Sequence, residues 1–432
     1  MRTAIKHLVA NPKQFKSQLL HWSGQFREAV FLDSNNYSQK YASFDAVLAA
    51  DAFTSLKTDA HNAFEDLRQY QQAARDWLFG YLSYDLKNDA EKLKSGNHDG
   101  LQFPDLFFFQ PKKLFLLKEN ELEIRYLNMC DGEVEEDLEE IYQISDFSTQ
   151  NQDSRIQVSQ RISKEEYLKK ISGMLGHINR GDIYEANFCM EFFAENAAID
   201  PIRTYQKLNE ISEPPFAAFF KNHKHFLMSA SPERYLRKQN DKIISQPIKG
   251  TAKRHEDAVQ DENARHELAS SAKERSENIM IVDLVRNDLS RTASKGSVEV
   301  EELCGAYAFK QVHHLVSTVA SRVESGKSPI EIIKASFPMG SMTGAPKIAA
   351  MQLIEDLEET KRGIYSGAVG YFTPENDFDF NVVIRSILYS QENKYVSFSV
   401  GSAITSLSVP EKEYQECLLK AKAMRTALES YS

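Results

Sequence analysis

The sequence predicts an α+β fold, on three observations. Stretches with strand character and stretches with helix character are segregated instead of alternating as βαβ units. Aromatic and β-branched runs of strand length recur in both halves of the chain. Amphipathic helices with recognisable start and stop signals lie between them. With 432 residues the chain is too long for one ordinary core and long enough for two domains or one large composite body.

Each element has its own signal, taken in chain order. Trp77-Leu-Phe-Gly-Tyr-Leu-Ser-Tyr84 and Leu106-Phe-Phe-Phe109 are aromatic strand runs, and Glu121-Leu-Glu-Ile-Arg-Tyr126 alternates as a half-buried strand does. The acidic run from Asp131 to Glu140 reads as a solvated helix face or loop. Asp146-Phe-Ser-Thr-Gln-Asn-Gln-Asp-Ser154 is polar and reads as a linker. It divides an N-terminal α+β region, residues 1–150, from a larger domain, residues 155–432. Ser163-Lys-Glu-Glu166 forms a capping box that opens a helix. Leu168, Ile171, Leu175 and Ile178 make its apolar stripe, and Gly181 is its stop. A second helix is expected from about Glu262 to Asp283, and a fourth from about Glu411 to Ala427. The third starts near Pro346, a residue suited to the first helical turn. Strands are expected near 224–229, 364–372, 378–389 and 394–400.

Composition narrows the partners. The chain carries 52 Lys+Arg against 62 Asp+Glu, a net charge of −10, and no basic block stands out. Nucleic acid and anionic membranes are therefore poor partners. An acidic protein that handles an anionic substrate has to concentrate positive charge locally. Cys130, Cys189, Cys304 and Cys417 lie far apart with no C-x-x-C pair, which fits free thiols in a reducing cytoplasm. Lys6 interrupts any apolar run at the start, so no signal peptide is expected. No apolar stretch approaches the roughly 20 residues of a membrane span.

Several positions are candidates for chemistry. Lys249 follows the strand-like run Lys242-Ile-Ile-Ser-Gln246, among Pro247, Gly250 and Thr251, which read as a turn. A lysine delivered by a strand end into a tight loop is placed for chemistry, although a lone lysine is more commonly a solvated surface residue. Glu274 and Glu277 are three apart on one helix, and Glu413 and Glu416 repeat that spacing on the last one, so each pair shares a face. On spacing alone such pairs are more commonly exposed acidic faces; the functional reading is a set of oxygen ligands for a hard cation such as Mg²⁺. Lys420 lies four residues after Glu416, an ordinary helix pair worth about 0.2–0.5 kcal/mol. Arg385 is expected on a strand face with Asp379, Asn381 and Val383. There it is aimed either at a structural acid or bidentately at a substrate carboxylate. His314 lies in a β-branched run, the usual setting of a core histidine. Gly340-Ser-Met-Thr-Gly-Ala-Pro-Lys347 is a glycine-rich turn that opens a helix and presents backbone N–H groups to an anion. It is not a Walker A loop, because Ala345 and Pro346 separate Gly344 from Lys347. No G-x-G-x-x-G run supports a dinucleotide.

Seven stretches fall in a familiar order over about residues 160–430. They are Ser231-Pro-Glu-Arg-Tyr235, Pro247-Ile-Lys-Gly-Thr251, Glu277-Asn-Ile-Met-Ile-Val-Asp-Leu-Val-Arg-Asn-Asp288, His313-His-Leu-Val-Ser-Thr-Val319, Phe337-Pro-Met-Gly-Ser-Met-Thr-Gly-Ala-Pro-Lys347, Arg362-Gly-Ile-Tyr-Ser-Gly367 and Glu413-Tyr-Gln-Glu416. Together they resemble the chorismate-utilising enzymes, most closely component I of aminodeoxychorismate synthase. The resemblance implies the chorismate-binding enzyme fold, a large two-sheet β sandwich flanked by helices, with the N-terminal region adding strands to the same body. It implies Mg²⁺ ligation by Glu277 and Glu416, supported by Glu274 and Glu413. It also implies Lys249 as a nucleophile and Glu233 as the general acid for a departing C4 hydroxyl. A catalytic acid needs a pKa raised toward the working pH. The implied substrate contacts are Thr251, His314, the turn residues Gly340, Ser341, Thr343 and Gly344, then Tyr365, Arg385, Gly401 and Lys420.

The implied reaction is amination of chorismate at C4 with ammonia. Its product, 4-amino-4-deoxychorismate, leads to p-aminobenzoate and folate. None of the cysteines sits in the glycine-flanked nucleophile turn of class I glutamine amidotransferases, so the resemblance implies a separate glutaminase subunit as the ammonia source. No lyase module is visible either. Three rival functions compete with this reaction. Lysine at 249 argues against the first, anthranilate synthase component I, which carries alanine there and aminates C2. The second is isochorismate or salicylate synthase, in which water attacks, and the third is an inactive scaffold for a glutaminase. Allosteric members carry Leu-Leu-Glu-Ser for tryptophan; the nearest stretch here is Phe31-Leu-Asp-Ser34. Asn179-Arg-Gly-Asp-Ile-Tyr-Glu-Ala-Asn187 keeps the family's shape.

Overall fold

The computed structural model describes residues 1–37, 40–91, 93–145, 156–310, 312–324 and 326–429. The expected linker, 146–154, lies outside them. The strands are β1 (Arg2–Leu8), β2 (Glu28–Asp33), β3 (Ala46–Thr58), β4 (Leu78–Leu82), β5 (Leu106–Lys118), β6 (Glu121–Leu127), β7 (Ser159–Gln160), β8 (Glu185–Ala194), β9 (Phe216–Asn222), β10 (His225–Ser231), β11 (Arg234–Gln239), β12 (Lys242–Gln246), β13 (Ile248–Lys253), β14 (Glu299–Ala308), β15 (Val312–Arg322), β16 (Gly344–Ala345), β17 (Ala368–Phe372), β18 (Phe378–Val382), β19 (Ser386–Ser390) and β20 (Tyr395–Ile404). The helices are α1 (Pro12–Ser23), α2 (Ala63–Ala74), α3 (Lys87–Ala90), α4 (Val134–Gln143), α5 (Lys164–Arg180), α6 (Pro201–Ser212), α7 (Ala258–Ser270), α8 (Ala272–Ser290), α9 (Pro329–Ser336), α10 (Lys347–Leu357) and α11 (Pro410–Glu429).

The sheet forks at β5. Along one edge, β3 pairs with nearly its whole length, from Ala46↔Leu117 to Thr58↔Leu106. The other edge is divided: Leu106–Phe109 pair with β4, and Lys113–Lys118 pair with β6. One arm continues from β3 through β2, β9, β10, β19 and β20 to β8. The other continues from β4 through β17, β18, β11, β12 and β15 to β14. All these pairings are antiparallel, and strands from the N-terminal region pair directly with later ones: β2 with β9, β4 with β17.

The two arms fold over a shared aromatic core. Strand alternation does the sorting. In β2, Val30 faces the inter-sheet core and Phe31 faces the helices; in β4, Phe79 and Tyr81 face inward while Leu78 and Leu82 face outward. Outside the first arm pack α1, α5, α6 and α11, through residues such as Phe15, Tyr167, Tyr205 and Cys417. Outside the second pack α2, α8 and α9, through Phe64, Ile281 and Ile332. This is the expected α+β sandwich. Caps fix the helix starts: Asp200 accepts hydrogen bonds from the N–H groups of Ile202 and Arg203, and Ser163 with Glu166 forms the expected capping box. The four cysteines are free and buried. Among the described residues no helix is long and apolar enough to cross a membrane.

Four expectations need correction. The helix expected over 262–283 is two, because the Ser271 hydroxyl accepts from Glu274 N–H at 3.3 Å and starts a new helix there. On α5 the buried stripe is Tyr167, Ile171, Met174 and Ile178, with Leu168 and Leu175 only partly buried beside it. The strand expected over 364–372 begins at Ala368, after a turn. The strand expected over 378–389 is broken into β18 and β19, which lie in different arms. The chain crosses between the arms at Arg385, whose φ is +51°.

At the root of the second arm, β5, β4, β17 and β18 align Phe108, Gly80, Gly370 and Phe380 in one row. The two phenylalanine rings meet across the glycines at 6.1 Å, edge to face. A Cβ on Gly80 would run into the Phe107 carbonyl oxygen and the Phe108 ring. Gly80→Ala is therefore expected to lower the unfolding free energy by about 1–3 kcal/mol, read from the shift of the urea midpoint. An unchanged midpoint would show that this row tolerates side chains.

Candidate active site

Lys249 is carried by a bulged strand and not by a loop. Both β12 and β13 pair with β15, as one bent strand would. Between Ile248↔Val316 and Thr251↔His314, Lys249 and Gly250 together oppose Leu315. Gly250 takes φ +90° there, and a side chain on it would press on Glu274 Oε2 at 3.1 Å. The turn-like residues seen in the sequence thus make a bulge, a device that re-aims a strand side chain. Asn278 on α8 fixes the bulge by donating to the carbonyls of Lys249 (3.4 Å) and Leu315 (3.3 Å).

The Lys249 ammonium reaches across to the other arm, where β8 presents Glu185. Nζ lies 3.2 Å from Glu185 Oε1, with side-chain exposures of 17% and 3%. Burial pulls the lysine pKa down, but Glu185 and Glu277, with Glu416 behind them, outweigh it and hold the group above its ordinary value. The lysine therefore stands as an ammonium. Glu185 Oε2 is buried without a hydrogen-bond partner among the described residues. The sequence alone did not single out Glu185. Its signal was its place in the Asn179–Asn187 stretch, where nothing local marks it as facing Lys249.

Glu233 follows β10 and is buried at 4% exposure. Burial lifts its pKa to about 7, against the opposing pull of the Ser341 hydrogen bond, Lys249 and Arg385. Ser341 Oγ donates to Glu233 Oε1 at 2.7 Å. The turn that carries Ser341 is fastened to β8: Asn187 N–H donates to the Thr343 carbonyl at 2.8 Å, Asn187 Nδ2 to the Ser341 carbonyl at 3.1 Å, and Gly344 pairs with Ala186. Lys347 locks the turn from below. Its Nζ donates to both oxygens of Asp288 (2.8 and 2.7 Å) and to the carbonyls of Ser336 and Pro338. Gly340 lies buried against Leu284 and Asp288 of α8. The Thr343 hydroxyl is used within the turn, on the carbonyls of Met339 and Gly340.

Arg385 sits at the crossing between arms, where its positive φ turns the side chain into the cleft. Its Nη2 donates to His314 Nε2 at 3.0 Å, and it has no ion pair among the described residues. Burial, then Arg385, depresses the His314 pKa to about 3, so the imidazole is neutral. Its Nδ1 faces the Gly250 carbonyl and Thr251 Oγ1, both at 3.1 Å, which assigns the proton to Nδ1. Burial, opposed by Glu233, lowers Arg385 to about 10, leaving it a cation. Tyr365 is buried, with its hydroxyl 3.7 Å from Cys189 Sγ. Gly401 lies opposite Cys189 in the β8–β20 pair, and its carbonyl accepts from Lys420 Nζ at 2.9 Å.

The acidic pairs lie on α8 and α11. Lys420 also binds Glu416 at 2.7 Å, and Lys273 lies 3.8 Å from Glu277. Glu277 is raised by burial, despite Lys249 and Lys273; Glu413 is raised by burial and by Glu416. Burial also acts on Glu416, but Lys420 and Lys249 bring it below its ordinary value. Among the described residues no three His, Cys, Asp or Glu side chains converge as a ready-made metal group. The donor chemistry nevertheless suits a hard cation: Glu274 raises Glu277 and Glu416 raises Glu413, with lysines beside them. Away from this cleft, Leu32, Asp33 and Ser34 line a cavity of about 70 Å³ with Arg234 and Asp379. There Asp33 is held by Lys16 and Arg234 by Asp379.

Residues 27–426 match the family described as chorismate binding enzyme, and the chain belongs to that family. It is 31% identical over 388 residues to aminodeoxychorismate synthase component 1 of Bacillus subtilis (strain 168), covering 87% of this chain and 80% of that protein. It is 41% identical over 273 residues to a probable chloroplastic aminodeoxychorismate synthase of Oryza sativa subsp. japonica; this match takes in 62% of the chain but only 30% of the rice protein's length. The fold is similar to the crystal structure of anthranilate synthase component I from Streptococcus pneumoniae TIGR4, with a TM-score of 0.76 and 24% identity over 90% of this chain and 94% of that one.

The raised pKa of Glu233 predicts a pH dependence. A carboxyl raised from 4.5 to about 7 binds its proton more tightly when folded, so any activity that needs it as an acid falls as pH rises through about 7. Ser341→Ala removes a hydrogen bond that favours the charged form. The falling limb should then move upward by roughly 0.5–1 pH unit, measured as chorismate consumption against pH. A downward move would mean that Ser341 stabilises the acid form instead.

Proposed function

We propose that the protein aminates chorismate at C4 to give 4-amino-4-deoxychorismate, on the route to p-aminobenzoate and folate. In this reading Lys249 is a covalent nucleophile, Glu233 the general acid and Mg²⁺ the cofactor. The observation that carries the reading is the bulge that aims Lys249 into the cleft occupied by Glu233, a buried acid with a pKa of about 7. Relatives named aminodeoxychorismate synthase support the choice of reaction. Arg385, in no ion pair among the described residues and steadied by neutral His314, is the clamp for a substrate carboxylate.

Neutral Lys249 attacks ring C2 through its lone pair. The ring double-bond electrons shift, the C4–O bond breaks, and Glu233 gives its proton to the leaving hydroxyl, which departs as water. Ammonia then attacks C4. The electrons shift back, the C2–N bond breaks, and the lysine is released. Glu277 and Glu416, supported by Glu274 and Glu413, are the residues that would hold Mg²⁺, which supplies positive charge toward a substrate carboxylate. A separate glutaminase subunit of the class I glutamine amidotransferase type delivers the ammonia.

Chorismate, Mg²⁺ and concentrated ammonium at moderately elevated pH should yield the C4 amine, and glutamine alone should yield nothing. Without ammonia, intact-protein mass spectrometry should find a chorismate-derived adduct, and peptide mapping should place it on Lys249. Lys249→Ala should abolish it. A C2-aminated product with pyruvate, or isochorismate, would overturn the assignment. Separately, Glu277→Gln or Glu416→Gln should raise the Mg²⁺ concentration needed for half-maximal activity at least about tenfold. Wild-type Mg²⁺ dependence in both variants would remove the four glutamates from the metal site.

A further inference from the structure

We infer that Glu185 is the base that frees Lys249 for attack, accepting a proton from Nζ and returning it when the lysine leaves. The inference rests on the proposed role of Lys249 and supplies the half of the proton balance that role leaves open. An ammonium has no lone pair, and Lys249 is held as one. The acceptor has to lie in contact with Nζ and be free of other duty. Glu233 has to keep its proton for the leaving hydroxyl, and Glu277 and Glu416 are the residues that would hold the cation. Among the described residues Glu185 is the carboxylate hydrogen-bonded to Nζ, at 3.2 Å.

Its surroundings suit the task. Glu185 begins β8 beside the Ser341 turn: it pairs with Ala345, and the neighbouring Tyr184 N–H donates to the Ala345 carbonyl at 2.7 Å. The carboxylate is thus built on a paired strand that faces the bulge from the opposite arm. Its Oε2 is buried without a partner among the described residues, and a buried carboxylate oxygen left unsatisfied is costly. Neutralising the pair lessens that cost, because a carbonyl oxygen needs a partner less than a carboxylate oxygen does, and it removes two buried charges together. Water leaving the cleft as substrate enters shifts the balance the same way.

The step is balanced. Ammonium and carboxylate become amine and carboxylic acid before attack. The amine lone pair forms the C2–N bond and becomes a secondary ammonium, which is the better leaving group. When ammonia has attacked C4 and C2–N breaks, the departing amine takes the proton back from Glu185, and the ion pair is restored.

A counterion and a base make opposite predictions for Glu185→Gln. Both lower the Lys249 pKa, because the strongest stabiliser of its charge is gone. A mere counterion would then leave more free amine and a faster enzyme, whereas loss of a base slows it. Three measurements decide: the pH titration of Lys249 by competitive acetylation and peptide mass spectrometry, kcat and KM with ammonium, and trapping of the adduct. For Glu185→Gln we expect Lys249 to titrate at lower pH, kcat to fall about 100-fold or more, and KM for chorismate to stay within about threefold. Glu185→Asp, which keeps the acid one methylene farther away, should retain about tenfold more kcat than Glu185→Gln. A Glu185→Gln enzyme as fast as wild type or faster overturns the inference alone, provided wild type forms the adduct. So does equal kcat in the two variants. If wild type forms no adduct, the nucleophile reading falls and this inference with it. Should Glu185→Gln not fold, Glu185→Asp carries the test: about a tenfold loss of kcat is expected, and a wild-type kcat at every pH overturns it.

Discussion

The fork at β5 is the constraint on which the rest of the structure depends. One strand has to serve two arms, so its neighbours on one edge diverge after Phe109. The arms then fold over a common aromatic core, and their far ends come to face each other. That is why a lysine on β13 meets a glutamate on β8, although the strands belong to opposite arms and the residues lie 64 positions apart. The chain also has to cross from one arm to the other. One such crossing is at Arg385, and its left-handed φ brings the guanidinium into the cleft. Topology, more than local preference, delivers the charged groups to one place.

Charge is what that place accumulates, and it costs stability. Glu233 is raised to about 7 from 4.5. The folded state therefore binds more protons than the unfolded state between those values, and this group's contribution to stability declines as pH rises through that window. The ionised form is worth at most about 3 kcal/mol less to the fold than the neutral one. Glu277 and Glu413 are raised by burial in the same direction. Lys347 shows how the fold compensates. Its ion pair with Asp288 ties the end of α8 to the turn that carries Ser341, so the acidic helix and the turn that tunes Glu233 move as one piece. Removing one partner of such a buried pair leaves the other uncompensated, at a cost of roughly 3–5 kcal/mol.

The sequence made the helices and the outer strands legible because their signals are local. The Ser163–Glu166 capping box, Gly181, and the alternation in Glu121–Tyr126 all produce the elements they announce. What it hid were consequences of topology. Phe378 to Leu388 alternates convincingly as one strand, yet it belongs to two arms, because the pattern records burial and not the sheet in which a residue is buried. Pro247 and Gly250 announce a turn, and the same residue types serve equally in a bulge. The catalytic candidates were visible through the order of seven stretches. Glu185, Asn187 and Asn278 were not singled out, because their importance lies in what they touch on other elements.

The charge pattern also bears on how an acidic chain would attract an anionic substrate. Lys249, Lys273 and Lys420 are each engaged by glutamates of the cleft, so they offer little net attraction beyond it. Arg385 is different. Its one side-chain partner among the described residues is the lone pair of an imidazole kept neutral by burial and by the arginine itself. A neutral acceptor orients the guanidinium without cancelling its charge, and the remaining N–H donors stay available for a planar carboxylate. An acid in place of His314 would fix the arginine equally well and remove its reason for being there. Among the described residues the cleft thus keeps Arg385 in reserve by pairing it with a base that burial prevents from taking a proton.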